Sequence, residues 1–213
     1  MGRKPIRRVP FRRRRKGLTN YRVRRALIVS RKPILVVRKT NTQIIAQIVK
    51  PEVKGDVVLA QATGRELRVK FGWPASGKNT PAAYLVGYLV GLRALKAGIK
   101  EAILYIGLHR PVKGSRVFAA LKGALDAGLK VPHSPEILPS DDRIRGLHIV
   151  EYARSLREED ADRFSRQFSE YLRSGFNPED LEKAFEETKR RIESAVELRA
   201  PTAETSGGEE SLK

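Results

Sequence analysis

No cysteine occurs anywhere in the chain, so disulfides, a thiol nucleophile and zinc sites built on thiolates are excluded. Histidine is nearly as scarce. His109, His133 and His148 stand too far apart for a local metal motif, and neither a metal nor a cofactor is expected. Long apolar runs are also missing. The longest, residues 82–92, is about half of what a membrane span requires, so the chain reads as a soluble protein without a membrane partner. No apolar segment follows the basic N-terminus, which argues against a secretory signal. Pro5 and Pro10 interrupt the amphipathic helix that a mitochondrial leader would need.

Acid is the most informative absence. The first fifty residues hold 17 Lys or Arg and no Asp or Glu, and the first carboxylate of the chain is Glu52. Residues 51–150 carry 15 basic and 8 acidic side chains, and residues 151–213 carry 11 and 16. Net charge therefore runs from +17 through +7 to −5 along the chain, giving the overall +19. Packing so many like charges together costs folding energy by self-repulsion. A polyanion laid against them converts that cost into attraction and releases condensed counterions. A solubilising or nuclear-addressing tail is the alternative, but the basic run continues into sequence of folded character. With no carboxylate in the first fifty residues, that basic stretch offers no acid to serve as a general base where a nucleic-acid substrate would lie.

Four regions are expected: an extended basic arm over 1–17, an α/β RNA-binding domain over 18–149, a helical extension over 150–201 and a polar, disordered tail over 202–213. The arm has almost nothing to bury and should order only on a partner. Asn20 caps a short helix to Ser30, with Leu27 and Ile28 inward and Arg22, Arg24 and Arg25 in water. Strands are predicted over 34–39, 43–50 and 57–63, the first two joined by a tight turn at Thr40-Asn41-Thr42. A short helix follows over 65–71. A long one over 81–97 has Thr80 at the N-cap, Pro81 at the first position and Gly98 as stop. A strand over 101–107 and an amphipathic helix over 115–127, ended by Gly128, complete the order β-β-β-α-β-α. The fold class is thus α/β, a mixed sheet with helices on its faces. Residues 129–148 read as loop. Ser155-Leu156-Arg157-Glu158 has the form of a capping box opening a helix to about 173, and Asn177-Pro178 opens another to about 199.

Several motifs admit more than one meaning. Residues 72–78 have the glycine and lysine spacing of a P-loop, but Asn79 stands where a Mg²⁺-binding Ser or Thr is needed, and no buried strand precedes them. The residues Gly87 and Gly91 suit close helix packing rather than membrane pairing. Glu158, Glu159, Asp160 and Asp162 read as a solvated first helical turn. Two internal clusters look functional: the donor-rich hairpin tip at 38–43, and the strand-to-helix loop at 107–116 with its four cationic groups and a helix N-terminus.

These residues resemble a known family. Leu35-Val36-Val37-Arg38-Lys39-Thr40-Asn41 and Ile44-Ile45-Ala46-Gln47-Ile48-Val49 are similar to the strand pair of the large-subunit ribosomal protein family conventionally numbered eighteen. Asn79-Thr80-Pro81-Ala82-Ala83-Tyr84 and the run from Gly91 to Ile99 resemble its long helix in the archaeal and eukaryotic form. Gly107-Leu108-His109-Arg110, the run from Arg116 to Ala124, Val9-Pro10-Phe11-Arg12-Arg13-Arg14-Arg15 and Thr19-Asn20-Tyr21-Arg22 fit as well. The likeness covers residues 5–148. It is less distinct over 153–213, where the short acidic end favours an archaeal source. It implies a topology related to ribonuclease H and a cytoplasmic, ribosomal, non-enzymatic protein. It further implies binding of 5S rRNA, attachment of that RNA to 23S rRNA in the central protuberance, and neighbours that include the other 5S-binding protein.

The RNA-binding residues follow. In the arm they are Arg7, Arg8, Arg12, Arg13, Arg14, Arg15 and Lys16, neutralising phosphates where two RNA segments approach. Tyr21 offers a stacking surface, and Arg22, Arg24, Arg25, Arg31 and Lys32 extend the charged track. Arg38, Lys39, Thr40, Asn41, Thr42 and Gln43 form the hairpin tip. Lys78 and Asn79 sit at a helix start, and His109, Arg110, Lys113 and Arg116 in the second loop. No small-molecule substrate is expected. A DNA-compacting module and a P-loop enzyme are the competing readings.

Overall fold

The computed structural model describes residues 9–197; Arg7, Arg8 and the tail from 198 onward lie outside them. The described chain begins with a single turn, α1 (Arg12–Arg15), followed by α2 (Tyr21–Ser30). Asn20 caps α2 as expected, its Oδ1 accepting from Arg22 N at 3.1 Å. Strands β1 (Ile34–Lys39), β2 (Ile44–Lys50) and β3 (Val57–Thr63) form an antiparallel meander, and α3 (Gly64–Phe71) turns back from it. The chain then runs through α4 (Thr80–Lys96) to the short strand β4 (Ile103–Tyr105), which lies parallel to β1. Strand order is β3-β2-β1-β4, a mixed sheet of the expected kind.

Helix α5 (Arg116–Asp126) packs with α4 on one face of the sheet. Alternation along β1 divides its side chains: Leu35 and Val37 enter the core under α4, while Ile34 and Val36 join Val49 in a small cluster on the other face, against Leu27 of α2 and Tyr105. Between Ile48 and Val49 the register with β3 slips by one, leaving Leu59 as the extra residue of a bulge.

Helix α4 is buried on every side from Thr80 to Gly91, because α3, α5 and later helices surround it. Its contact with α5 is made by glycines. A Cβ on Gly87 would collide with the carbonyl of Ala120, and one on Gly123 with the carbonyl of Tyr84. Two backbones that approach this closely exclude any larger residue at either position.

The cap of α4 differs from expectation. Asn79, not Thr80, holds the N-cap, with its Oδ1 accepting from Ala82 N at 2.8 Å. The carboxamide reaches that amide from the residue before the helix, and Thr80 is then the first helical residue. Beyond α5, residues 129–148 contain a 3₁₀ turn (Pro135–Ile137) and α6 (Asp141–Arg145), with Lys130 bridging to Glu101 beside the sheet.

The capping box expected at Ser155 is absent. Ser155 lies inside α7 (Leu147–Glu159), its hydroxyl donating to Glu159 Oε1, one turn on. Glu158 and Glu159 close that helix instead of opening one. Asp160 caps the next, α8 (Ala161–Gln167), accepting from Arg163 N at 2.9 Å. Buried Val150 and Ala153 extend the apolar face back past Ser155, and that packing outweighs the local capping pattern. After α9 (Ser169–Arg173) and the Asn177-capped turn Pro178–Asp180, α10 (Leu181–Glu197) sends Leu181, Phe185 and Ile192 into the main core. No described helix is long and apolar enough to cross a membrane.

Candidate RNA-binding surface

Of the thirteen lysines and arginines described up to residue 50, three have a carboxylate partner. Arg24 pairs with Asp56, Lys32 with Glu101 and Lys50 with Glu52, which leaves ten cations unpaired within the described residues. Arg12, Arg13, Arg14 and Arg15 occupy one exposed helical turn with Lys16 beyond it. That turn is tied down at two points: the Phe11 ring packs on Tyr21 with centroids 5.0 Å apart, and Arg13 Nε donates to Thr19 Oγ1 at 2.8 Å. One side of the Tyr21 ring is therefore already covered. Arg22 and Arg25 are exposed on α2. Arg31 ends the helix in the left-handed conformation at φ 55°, a position that favours glycine, so an arginine is held there at a conformational cost.

Arg24 has a different task. Both of its terminal nitrogens meet Asp56, at 2.7 and 2.9 Å, and one also donates to the carbonyl of Glu52. The hydrogen bond to Arg24 holds the Asp56 carboxyl below its usual range, and the guanidinium is raised in turn. The pair ties α2 to the turn between β2 and β3.

At the hairpin tip Thr40 is structural. Its amide and hydroxyl both donate to the carbonyl of Gln43, and its Oγ1 accepts from the amides of Thr42 and Gln43. Gln43 Oε1 accepts from Arg65 N, fixing the tip to the start of α3. Arg38, Lys39 and Asn41 stand exposed at the end of the strand pair.

Alternation sends Arg38 and Lys39 to opposite faces. Arg38 follows Ile34 and Val36 toward the arm. Lys39 shares a groove with Arg110, Lys113, Arg116 and Arg143 beside the N-terminus of α5. His109 sits close enough for the Lys39 charge, with partial burial as the larger cause, to lower its pKa. Arg116 Nη1 donates to the carbonyl of Lys78 at 2.8 Å, joining the second loop to the segment before α4. Lys113 pairs with Glu136. Lys78 itself is exposed beside the Asn79 cap.

The P-loop-like segment is a plug. Trp73 is buried and its Nε1 donates to the carbonyl of Ser76 at 3.2 Å, while Gly77 packs on Gly64 and its carbonyl accepts from Ile44 N. No group of His, Asp and Glu among the described residues is arranged to hold a metal ion.

Sequence reasoning overlooked Arg143, Lys54 and Tyr105. Arg143 fell in a stretch read as loop, and Lys54 in a turn. Tyr105 faces the arm only because β4 pairs with β1, a long-range contact.

An α/β body on which basic side chains far outnumber the carboxylates that pair with them has the surface of a nucleic-acid-binding scaffold. Comparison with known proteins makes this specific. Residues 7–100 and 97–134 match the family described as ribosomal large subunit proteins 60S L5 and 50S L18. The large ribosomal subunit protein uL18 of Aeropyrum pernix is 54% identical over 213 residues, covering all of both chains. That of Thermofilum pendens is 54% identical over 190 residues, covering 89% of this chain and 96% of the relative. The chain belongs to the uL18 family, with archaeal relatives. It is a structural, non-catalytic protein of the large subunit in the cytoplasmic ribosome.

Proposed function

We propose that the protein binds 5S rRNA and attaches it to 23S rRNA in the central protuberance, beside the other 5S-binding protein of the subunit. The supporting observation is the set of ten unpaired cations that runs from the arm along α2 to the end of β1. Charges left without carboxylates are available for phosphates. Arg38 and Lys39 diverge to the two faces of the sheet at that strand end, so one strand serves two RNA surfaces. The arm and α2 line one, and the loop with Arg110, Lys113 and Arg116 lines the other. Arg7 and Arg8, outside the described residues, are assigned to the same RNA by their charge. Lys78, Asn41 and His109 flank the second. Tyr21 contributes through its uncovered side, while Thr40, Thr42, Gln43 and Asn79 hold the loops in shape and Arg24 holds α2.

If about eight phosphates are neutralised, log K for 5S rRNA should fall against log salt with a slope of roughly −6 to −7. A filter-binding titration with a slope near zero refutes the reading. Competition with duplex DNA is the second arm, and 5S rRNA should win by a wide margin.

A further inference from the structure

Between the arm, α2 and the back of the sheet lies a cleft of about 720 Å³, within the size range of pockets that take a small ligand. Its floor is apolar: Ile34, Val36 and Val49, with Leu27 beside them. Tyr21 and Tyr105 stand at its walls, and the Tyr105 hydroxyl has no hydrogen-bond partner among the described residues. Its rim carries Arg13, Arg38 and Lys54, none of them paired with a carboxylate among the described residues. The single acid at the rim, Asp56, is occupied by both terminal nitrogens of Arg24.

An apolar floor with aromatic walls under a cationic rim is the composition that takes an unstacked base, with its flanking phosphates outside. A duplex presents its phosphates outward and keeps its bases stacked, so it can meet the rim but not the floor. An apolar protein side chain could use the floor, but would leave Arg13, Arg38 and Lys54 without counter-charge. Resting on the RNA-binding reading above, we propose that this cleft receives a nucleotide splayed out of the bound RNA. Its base lies against Tyr105 and Val36, and its adjoining phosphates lie on Arg13, Arg38 and Lys54. The arm then supplies one wall of a specific pocket as well as charge, which would give preference for RNA with unpaired nucleotides.

Substitution Tyr105→Leu in the full-length chain keeps an apolar side chain over Val36 and removes the aromatic face. It should weaken binding to 5S rRNA about tenfold while leaving the salt slope unchanged, because no phosphate contact is lost. Binding to an uninterrupted RNA duplex of similar length should not change. The unaltered protein, irradiated on 5S rRNA carrying photoreactive 4-thiouridine, should crosslink through peptides containing Val36 or Tyr105. Unchanged affinity of the variant, or an equal loss on both RNAs, overturns the proposal. So do crosslinks confined to the arm, which would leave the cleft to a protein partner or empty. The crosslinking arm decides the matter even if Tyr105→Leu fails to fold. Failure of the unaltered protein to bind 5S rRNA at all would sink the broader reading instead.

Discussion

From the arm through β2, ten of the described lysines and arginines have no carboxylate partner among the described residues, whereas the C-terminal helices neutralise many of theirs internally. There Glu179 takes both Arg157, at 2.6 Å, and Arg154, Arg145 reaches Glu182, and Arg191 reaches Glu187. Arg68 of α3 pairs with Glu170, and Tyr88 of α4 donates to Glu193 of α10, so the acidic region also closes over the body. Exposed pairs of this kind contribute at most about 1 kcal/mol each. Their consequence is that this region has less free charge to offer a polyanion. The basic end makes the opposite choice. Apart from Arg24, Lys32 and Lys50 its described cations have no carboxylate partner among the described residues, Arg31 standing in a left-handed cap, and on the proposed reading phosphate supplies the counter-charge.

Removing residues 1–17 is the severest test of this contrast. Affinity for 5S rRNA should drop by about a thousandfold near physiological salt, with a visibly shallower salt slope, because the arm holds nine of the cations. The thermal midpoint should move little. An equal loss of stability and binding would show that the arm belongs to the body.

Gly87→Ala attacks the other side. With the Ala120 carbonyl in the way of a methyl group, α4 and α5 must separate, at a cost of about 3 kcal/mol. Denaturant unfolding should show that loss. The salt slope of the remaining folded protein should match the parent, and a changed slope would break the separation of body from binding track.

A smaller effect concerns Glu66, the best-buried ion pair of the body. Hydrogen bonds from Arg93, opposed by partial burial and aided by Lys70, lower its pKa to about 2. Its stabilisation is therefore fully present above the ordinary carboxyl value near 4.5 and is lost as pH falls from there towards 2. After solvent screening it amounts to about 1–2 kcal/mol. Stability measured at pH 6 and pH 3 should fall less for Glu66→Gln than for the parent, and parallel falls would contradict the assignment.

The smallest change has opposite signs on its two readouts. Arg31→Gly relieves the left-handed arginine and should stabilise α2 by about 0.5 kcal/mol, yet make the salt slope shallower by about one. A variant that gains stability with an unchanged slope removes Arg31 from the phosphate track.

Local signals were enough for much of the body. The Asn20 cap, the hairpin at 40–43, the glycine stops at Gly98 and Gly128 and the separation of cations from acids are all legible, because each depends on neighbours within a few residues. The capping box at Ser155 misled for the complementary reason. A four-residue pattern that is favourable at a helix start was placed mid-helix by the burial of Val150 and Ala153, which lie outside the pattern.

Composition and patterning alone determined that this protein is a basic, cysteine-free α/β chain whose uncompensated charge calls for a polyanion. Tertiary structure decided which cations stay free. Arg24 and Asp56 are 32 positions apart in the sequence, and Arg116 reaches the carbonyl of Lys78 across 38. It also decided that Tyr105 of the last strand, beside Val36 of the first, forms a cleft with the arm. Charge is a property of each residue and can be counted along the chain. Availability depends on which residues the packed backbone brings within hydrogen-bonding distance.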